Sequence, residues 1–380
     1  MKQLIIAANA VPKQGGQGLD LYHMVEGLGG TFDITLFCRE PYPGIRTEVV
    51  PVQWLPDMIG RIPFARRLRD LRVLLSDQGF DRYVARRIRC GHLFQGVIGQ
   101  CKDTLEAAHS QGCPAVLNCL TTHIGDLGPY MDRECAKFGV RPPIGTLMRA
   151  RMEVECSKAD LIRVGSTHAR RTFLERGFSP DRVIVARPPI DVSEFPIADF
   201  ADSVFRIGFV GLIEPWKGFH YLVDAYSSLN LRDSELVLWG GCGSRPISRY
   251  LRTQTARDPT IQVKPVVKQR SWYDEVYTKC SVIVHPSLSD GFGYVVVEAM
   301  ACGVPVIVTA NTGASELITE GVNGYIVAAG DVSGIADRLK YLAQHREIIP
   351  TMGAAARRAM EQLDKDSIRT TYADVLMEIT

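Results

Sequence analysis

The 380-residue sequence lacks cysteines at metal-binding spacing. Its ten cysteines are scattered, the closest two, Cys113 and Cys119, stand six apart, and no C-x-x-C occurs. Such scatter reads as reduced, mostly buried thiols in a cytoplasmic protein. No apolar run approaches the ~18 residues of a membrane span. The run from Lys2 turns polar at Asn9, too short for a secretory leader, and reads as a first core strand. Repeats and low-complexity segments are absent, and 46% hydrophobic with 23% charged residues excludes a disordered chain. Also missing is a dinucleotide fingerprint. Lys13-Gln14-Gly15-Gly16-Gln17-Gly18 is not G-x-G-x-x-G, and the second strand closes on Phe37-Cys38-Arg39 without an acid, which argues against a nicotinamide oxidoreductase. Strong net charge is lacking too, at 44 Lys and Arg against 42 Asp and Glu. That near-balance hides a split: residues 1–190 hold 26 basic against 19 acidic residues, residues 191–380 hold 18 against 23.

Short apolar runs alternate with amphipathic stretches along the whole chain. Candidate strands are 4–8, 33–37, 116–119, 161–164 and 183–186 in the first half, then 205–210, 235–239, 282–285, 304–308 and 325–327. Buried strands alternating with helices imply parallel sheets covered on both faces. The pattern pauses once, over the acidic, aperiodic residues 190–203, which read as a linker. The expected fold class is therefore α/β: two doubly wound, Rossmann-like domains, 1–190 and 204–364, facing across a cleft. The closing helix, about 365–380, crosses back onto the first domain. Ligands of such sheets bind at the carboxyl ends of the strands, so two facing sheets suit group transfer from a nucleotide-borne donor to an acceptor.

The most informative stretch starts at His285: HPSLSDGFGYVVVEAMACGVPVIVTANTGASELITEGVNGY. A strand end is followed by Asp290-Gly291-Phe292-Gly293 and then a helix. Backbone N–H groups at a helix start form an anion site suited to a diphosphate, and Gly291 and Gly293 permit close approach. Asp290 is placed to meet a sugar hydroxyl and Glu298, inside the helix, a ribose diol. Taken singly, each also reads as a helix cap or a solvated helix residue. His285, beside Pro286, reads as a buried strand-end residue.

This stretch resembles the retaining, GT-B-fold glycosyltransferases of family 4, whose hallmark is two acids separated by seven residues within a PS–EGFG–EAMA-G-PV pattern. Asp290 stands for the usual first Glu, one methylene shorter. The downstream Gly-Gly and Glu of the family correspond to Thr312-Gly313 and Glu316. FVGLIEPWKGFHYLVDAY resembles the family's strand–GRL–KG–helix element, with Lys217 at the position of the lysine that neutralises the donor diphosphate and Leu212 where the family carries Arg. LVLWGGCG, with Gly240 and Gly243, resembles the strand before the base-binding loop, and Arg245 and 265–270 are candidates to line the base. In the first half the resemblance assigns Gly15, Gly16 and Gly18 to a loop near the diphosphate; a flexible turn is the other reading. His123 is assigned below the reacting sugar, with a helix-capping loop histidine as its alternative. Ser166 reads as a helix N-cap.

The resemblance implies a retaining glycosyltransferase that uses a nucleoside-diphosphate sugar, UDP or GDP, with no cofactor. No D-x-D adjoins the diphosphate loop, so no metal is expected. The implied acceptor is a hydroxyl of a glycan or lipid-linked molecule. A catalytically weak nucleotide-sugar-binding subunit of a glycan-assembly complex is the alternative. From Arg61 to Arg89 the chain holds nine Arg and three Asp among apolar residues. This basic amphipathic stretch fits an anionic membrane surface at the inner face of the membrane, or simply a solvated helix face. It has no aromatic pattern for nucleic acid.

Overall fold

The computed structural model describes residues 1–51, 69–89, 91–188, 190–200, 202–265, 272–363 and 365–379. The chain divides into two compact units: Met1–Gly128 with Arg141–Pro189 and Lys365–Thr380, and Pro129–Val140 with Ile190–Asp364.

The first unit is built on a seven-stranded sheet of order β3-β2-β1-β4-β5-β6-β7. Its strands are β1 (Lys2–Ala7), β2 (Phe32–Cys38), β3 (Arg46–Val49), β4 (Leu93–Val97), β5 (Ala115–Cys119), β6 (Leu161–Val164) and β7 (Val183–Val185). Every pairing is parallel. Strands β4, β5 and β6 are buried along their full length, as a sheet covered on both faces requires. Two strands fall outside the sequence expectation for physical reasons. The polar β3 (RTEV) is an edge strand with a solvated face, and β4 (LFQGV) is interrupted by Gln95 and Gly96. The C-terminal helix Lys365–Glu378 belongs to this unit and buries Tyr372, Ala373 and Leu376 in its core. Arg163 supports it from within. Its guanidinium lies 5.3 Å from the Tyr372 ring and 3.0 Å from Asp20 Oδ1.

The second unit holds a six-stranded parallel sheet of order β10-β9-β8-β11-β12-β13. The strands are β8 (Phe205–Val210), β9 (Ser234–Trp239), β10 (Ile261–Lys264), β11 (Val282–His285), β12 (Val306–Thr309) and β13 (Gly324–Val327). The order reverses between β8 and β11, so the loops leaving these two strands flank a crevice at their carboxyl ends.

Three findings differ from the sequence reading. Residues 190–200 pack on the second unit instead of hanging free: Ile190 and Ala198 are buried, and Ala198 N–H donates to Cys302 O at 2.9 Å. Residues 129–140 also belong to the second unit. The partition falls inside the helix Ile124–Lys137, at Pro129, where the ring removes a helical hydrogen bond. Beyond it, buried Glu134 receives Lys137 Nζ at 2.7 Å, His220 Nε2 at 3.1 Å and Tyr221 OH at 3.1 Å. Finally, Cys113 is disulfide-bonded, against the expectation of uniformly reduced thiols, while eight other cysteines are free. Among the described residues no helix is long and apolar enough to cross a membrane.

Candidate functional site

The two loops at the β8/β11 crevice are locked together by backbone. After β8, Gly211 N–H and Ile213 N–H donate to Trp239 O and Gly241 O, both at 3.0 Å, which fixes the loop to the end of β9. The short 3-10 turn Pro215–Lys217 then ends at Gly218, whose φ of +73° suits glycine. A Cβ at 218 would stand 1.9 Å from Pro286 O, so only glycine lets this turn lie against the end of β11. Leu288 N–H closes the contact by donating to Trp216 O at 2.9 Å.

This docking brings Lys217 to Asp290. Lys217 Nζ lies 2.6 Å from Asp290 Oδ2, and His285 Nε2 is 3.1 Å from the same oxygen. Burial pushes the Asp290 carboxyl up, but the Lys217 ammonium and the His285 hydrogen bond outweigh it. They hold the group well below the usual carboxylate range. Asp290 is thus a fixed negative charge between two nitrogen donors.

The turn itself is clamped by the segment after β12. Asp290 N–H donates to Asn311 O at 3.0 Å, Gly313 N–H to Asp290 O at 3.0 Å and Ala314 N–H to Phe292 O at 2.6 Å. Gly293 has φ +90° and caps the helix Tyr294–Ala301, and a Cβ there would press on Thr312 at 2.7 Å. Gly291, Phe292 and Gly293 are all buried. The helix start carries partial positive charge. Two groups expected at the ligand have partners within the protein here. Phe292 N–H, expected to face a diphosphate, donates to Asp290 Oδ1 at 3.3 Å. Asp290, expected to reach a sugar hydroxyl, has both oxygens engaged within the protein.

Glu298 lies eight residues on, half-buried, in different surroundings. Its Oε2 accepts from Tyr277 OH at 2.5 Å, and Tyr273 also hydrogen-bonds the carboxyl. Among the described residues no cation offsets its burial, which pushes the carboxyl up to about 7 against the two phenol bonds. Gly240 serves packing: a Cβ there would meet Gly211 O at 1.8 Å. Gly243 is exposed in the loop before the helix Arg245–Arg257. Residues 266–270 of the suggested base-lining segment, and 61–68 of the basic stretch, lie outside the described residues.

In the first unit, Gly15 (φ +65°) opens the helix Gly15–Leu28, and a Cβ at Gly18 would meet Val11 O at 2.0 Å. Gly16 has open space at its Cβ position, and Lys13 N–H ties the loop shut by donating to Gly18 O at 2.9 Å. His123 caps a helix. The imidazole is buried, its Nδ1 accepts from Gly125 N–H at 3.1 Å, and its carbonyl accepts from Asp126 N–H at 2.9 Å. Both the ring and the carbonyl thereby cap the helix Ile124–Lys137, and Nε2 stands 3.3 Å from Glu153. Burial lowers the His123 pKa. Ser166 caps the helix Thr167–Leu174 through Ala169 N–H at 3.0 Å. Among the described residues no group of three His, Cys, Asp or Glu is placed to hold a metal.

Sequence reasoning passed over three site residues. His285 was assigned to burial alone, although its place at the carboxyl end of β11 puts it at the ligand edge of the sheet. Tyr273 and Tyr277 carried a signal in their four-residue spacing, which brings both phenols to Glu298.

Residues 204–345 match the family model described as Glycosyl transferases group 1. Among curated proteins, a D-inositol 3-phosphate glycosyltransferase of Kribbella flavida is 32% identical over 201 residues, covering 47% of this chain and 47% of the relative. The capsular polysaccharide biosynthesis glycosyltransferase CapM of Staphylococcus aureus is 32% identical over 184 residues, covering 46% of this chain and 47% of CapM. The matched region thus spans about half the length of these relatives. Among solved structures, sucrose-phosphate synthase from Thermosynechococcus elongatus aligns with a TM-score of 0.76 at 17% identity, over 100% of this chain and 99% of its own. Anabaena Alr3699/HepE in complex with UDP-glucose aligns with a TM-score of 0.72 at 18% identity, over 100% of both chains. The chain has the GT-B fold of these structures, and its residues 204–345 are similar to the group 1 glycosyl transferases.

Proposed function

We propose that the chain is a retaining glycosyltransferase that moves a sugar from a nucleoside-diphosphate donor, UDP- or GDP-linked, to a hydroxyl of a glycan or lipid-linked acceptor. The observation that carries this reading is the Lys217–Asp290–His285 cluster at the β8/β11 crevice, beside a glycine turn and helix start, with Glu298 eight residues further. The relatives named as glycosyltransferases and the UDP-glucose complex of a like-folded protein support it.

In this reading the bond between the anomeric carbon and the diphosphate oxygen breaks, and the diphosphate leaves with the electron pair. The acceptor oxygen bonds to the same face, and its proton passes to the departing phosphate oxygen. Lys217 and the helix-start N–H groups stabilise the charge that develops on the diphosphate. Asp290 holds Lys217 in place and comes to the donor sugar as the ammonium turns to phosphate; Glu298 accepts from the ribose diol. The positive charge comes from side chain and backbone, without a metal. The basic segment from Arg61 to Arg89 would bring the protein to an anionic lipid face, and the excess of nine Arg over three Asp supports this.

A thermal-shift panel of UDP-, GDP-, ADP- and dTDP-sugars tests the donor assignment. At about 100-fold Kd a bound donor adds ~2.7 kcal/mol, several degrees in Tm. A UDP- or GDP-sugar is expected to give that shift and Glu298→Ala to abolish it; no shift with any member would refute the reading. Product anomers identified by magnetic resonance report retention or inversion. Leu212, 54% exposed where the family resembled carries Arg, favours one second reading, a binding subunit without turnover. Donor binding with no hydrolysis and no transfer would select it.

A further inference from the structure

Glu298 is aimed by its neighbours. Tyr277 is fully buried, and its ring stands edge-on to Trp272 at 6.3 Å and tilted against Tyr273 at 5.9 Å. Tyr273 is braced in turn by Phe195 at 4.6 Å. A phenol held this rigidly places its O–H on Glu298 Oε2 at 2.5 Å. A carboxylate has about four acceptor positions, so two phenols leave capacity for a vicinal diol. Aromatic rings packed into a core would need no such carboxylate, and two O–H groups converging on one acid of the helix that follows the crevice turn is a built arrangement.

We propose that Tyr277, seconded by Tyr273, is a positioning residue that aims Glu298 and keeps it ionised for the ribose hydroxyls of the donor nucleotide. This rests on the nucleotide-sugar reading of the site. The groups facing Glu298 are few. From the segment 272–279 come the two phenols, both held far from ionisation by burial and by Glu298 itself, so they remain donors at any working pH. On its own helix end is Cys302, whose thiol is likewise pushed up by burial. Asp274 and Arg357 bear on Cys302, and Glu194 on Tyr273. With no cation at hand among the described residues, burial brings the Glu298 carboxyl to about 7, and the phenol bonds are what lower it. Removing one therefore raises the midpoint.

The test measures the Kd of UDP and GDP from pH 5.5 to 9 for the full chain, Tyr277→Phe and Tyr273→Phe. In wild type, affinity is expected to rise through about pH 7 and level off above it. Tyr277→Phe should move that midpoint up by about one pH unit, weaken binding roughly five- to tenfold at pH 7, and rejoin wild type near pH 9. Tyr273→Phe should act in the same direction by a smaller step. Glu298→Gln should remove the pH dependence altogether. If wild type binds but both Phe variants keep its midpoint, the positioning role is wrong. If wild type binds neither nucleotide at any pH, the nucleotide-sugar reading fails instead. Should Tyr277→Phe not fold, as judged by circular dichroism, Tyr273→Phe alone decides by the same midpoint criterion.

Discussion

The turn at 285–290 and the middle of the helix that follows each hold one carboxylate, and their charges are controlled by opposite means. Asp290 is buried beside an ammonium and an imidazole, and the attraction of Lys217 overrides the cost of burial. Among the described residues Glu298 meets only neutral phenols, so burial prevails and its carboxyl rises to about 7. A phenol bond stabilises a carboxylate less than an ion pair in the same low dielectric does. One carboxylate is therefore a permanent charge suited to orienting a cation. The other is poised to answer the hydrogen-bond donors of a ligand.

The largest break in this contrast should come from Gly218→Ala. A Cβ 1.9 Å from Pro286 O at a positive φ forces the 215–218 turn off the end of β11 and parts Lys217 from Asp290, while Glu298 is left alone. A loss of about 3 kcal/mol is expected in denaturant unfolding. The pH dependence of stability should separate the two acids next. Asp290 has a depressed folded value, so its contribution is present above the unfolded value of 3.8 and is lost as pH falls below it. Glu298 is raised from 4.5 to about 7, so its contribution is present below 4.5 and is lost as pH rises through 7. Glu298→Gln should therefore erase about 2 kcal/mol of that upper slope, after allowance for the part of the side chain that water reaches. Asp290→Asn should instead be destabilised at pH 7 and match wild type only in strong acid. The smallest effect is expected from His285→Phe. It removes one hydrogen bond to Asp290 and leaves the Lys217 pair, a change of about 1 kcal/mol in a thermal melt.

The sequence made the parallel sheets legible because buried strands such as β5 and β12 are unbroken apolar runs. It made the turn legible because glycines at 291 and 293 mark a tight approach. It hid β3 and β10, edge strands half polar by necessity, the β4 run broken by Gln95 and Gly96, and the allegiance of residues 129–140. That allegiance depends on Glu134 meeting His220 and Tyr221, groups more than 80 residues away. The phenols of Glu298 were obscure for the same reason. Their four-residue spacing pairs the two phenols, but only the fold shows that Tyr277 is buried against an acid. His123 shows the opposite case, in which a residue type suited to chemistry serves as a helix cap.

Turnover of labelled UDP- and GDP-sugars by the full chain and by Lys217→Ala tests the central claim most directly. The account predicts release of nucleoside diphosphate by the wild-type protein and a loss of about a hundredfold or more in kcat for Lys217→Ala, with secondary structure unchanged by circular dichroism. Equal turnover by the two proteins would contradict it.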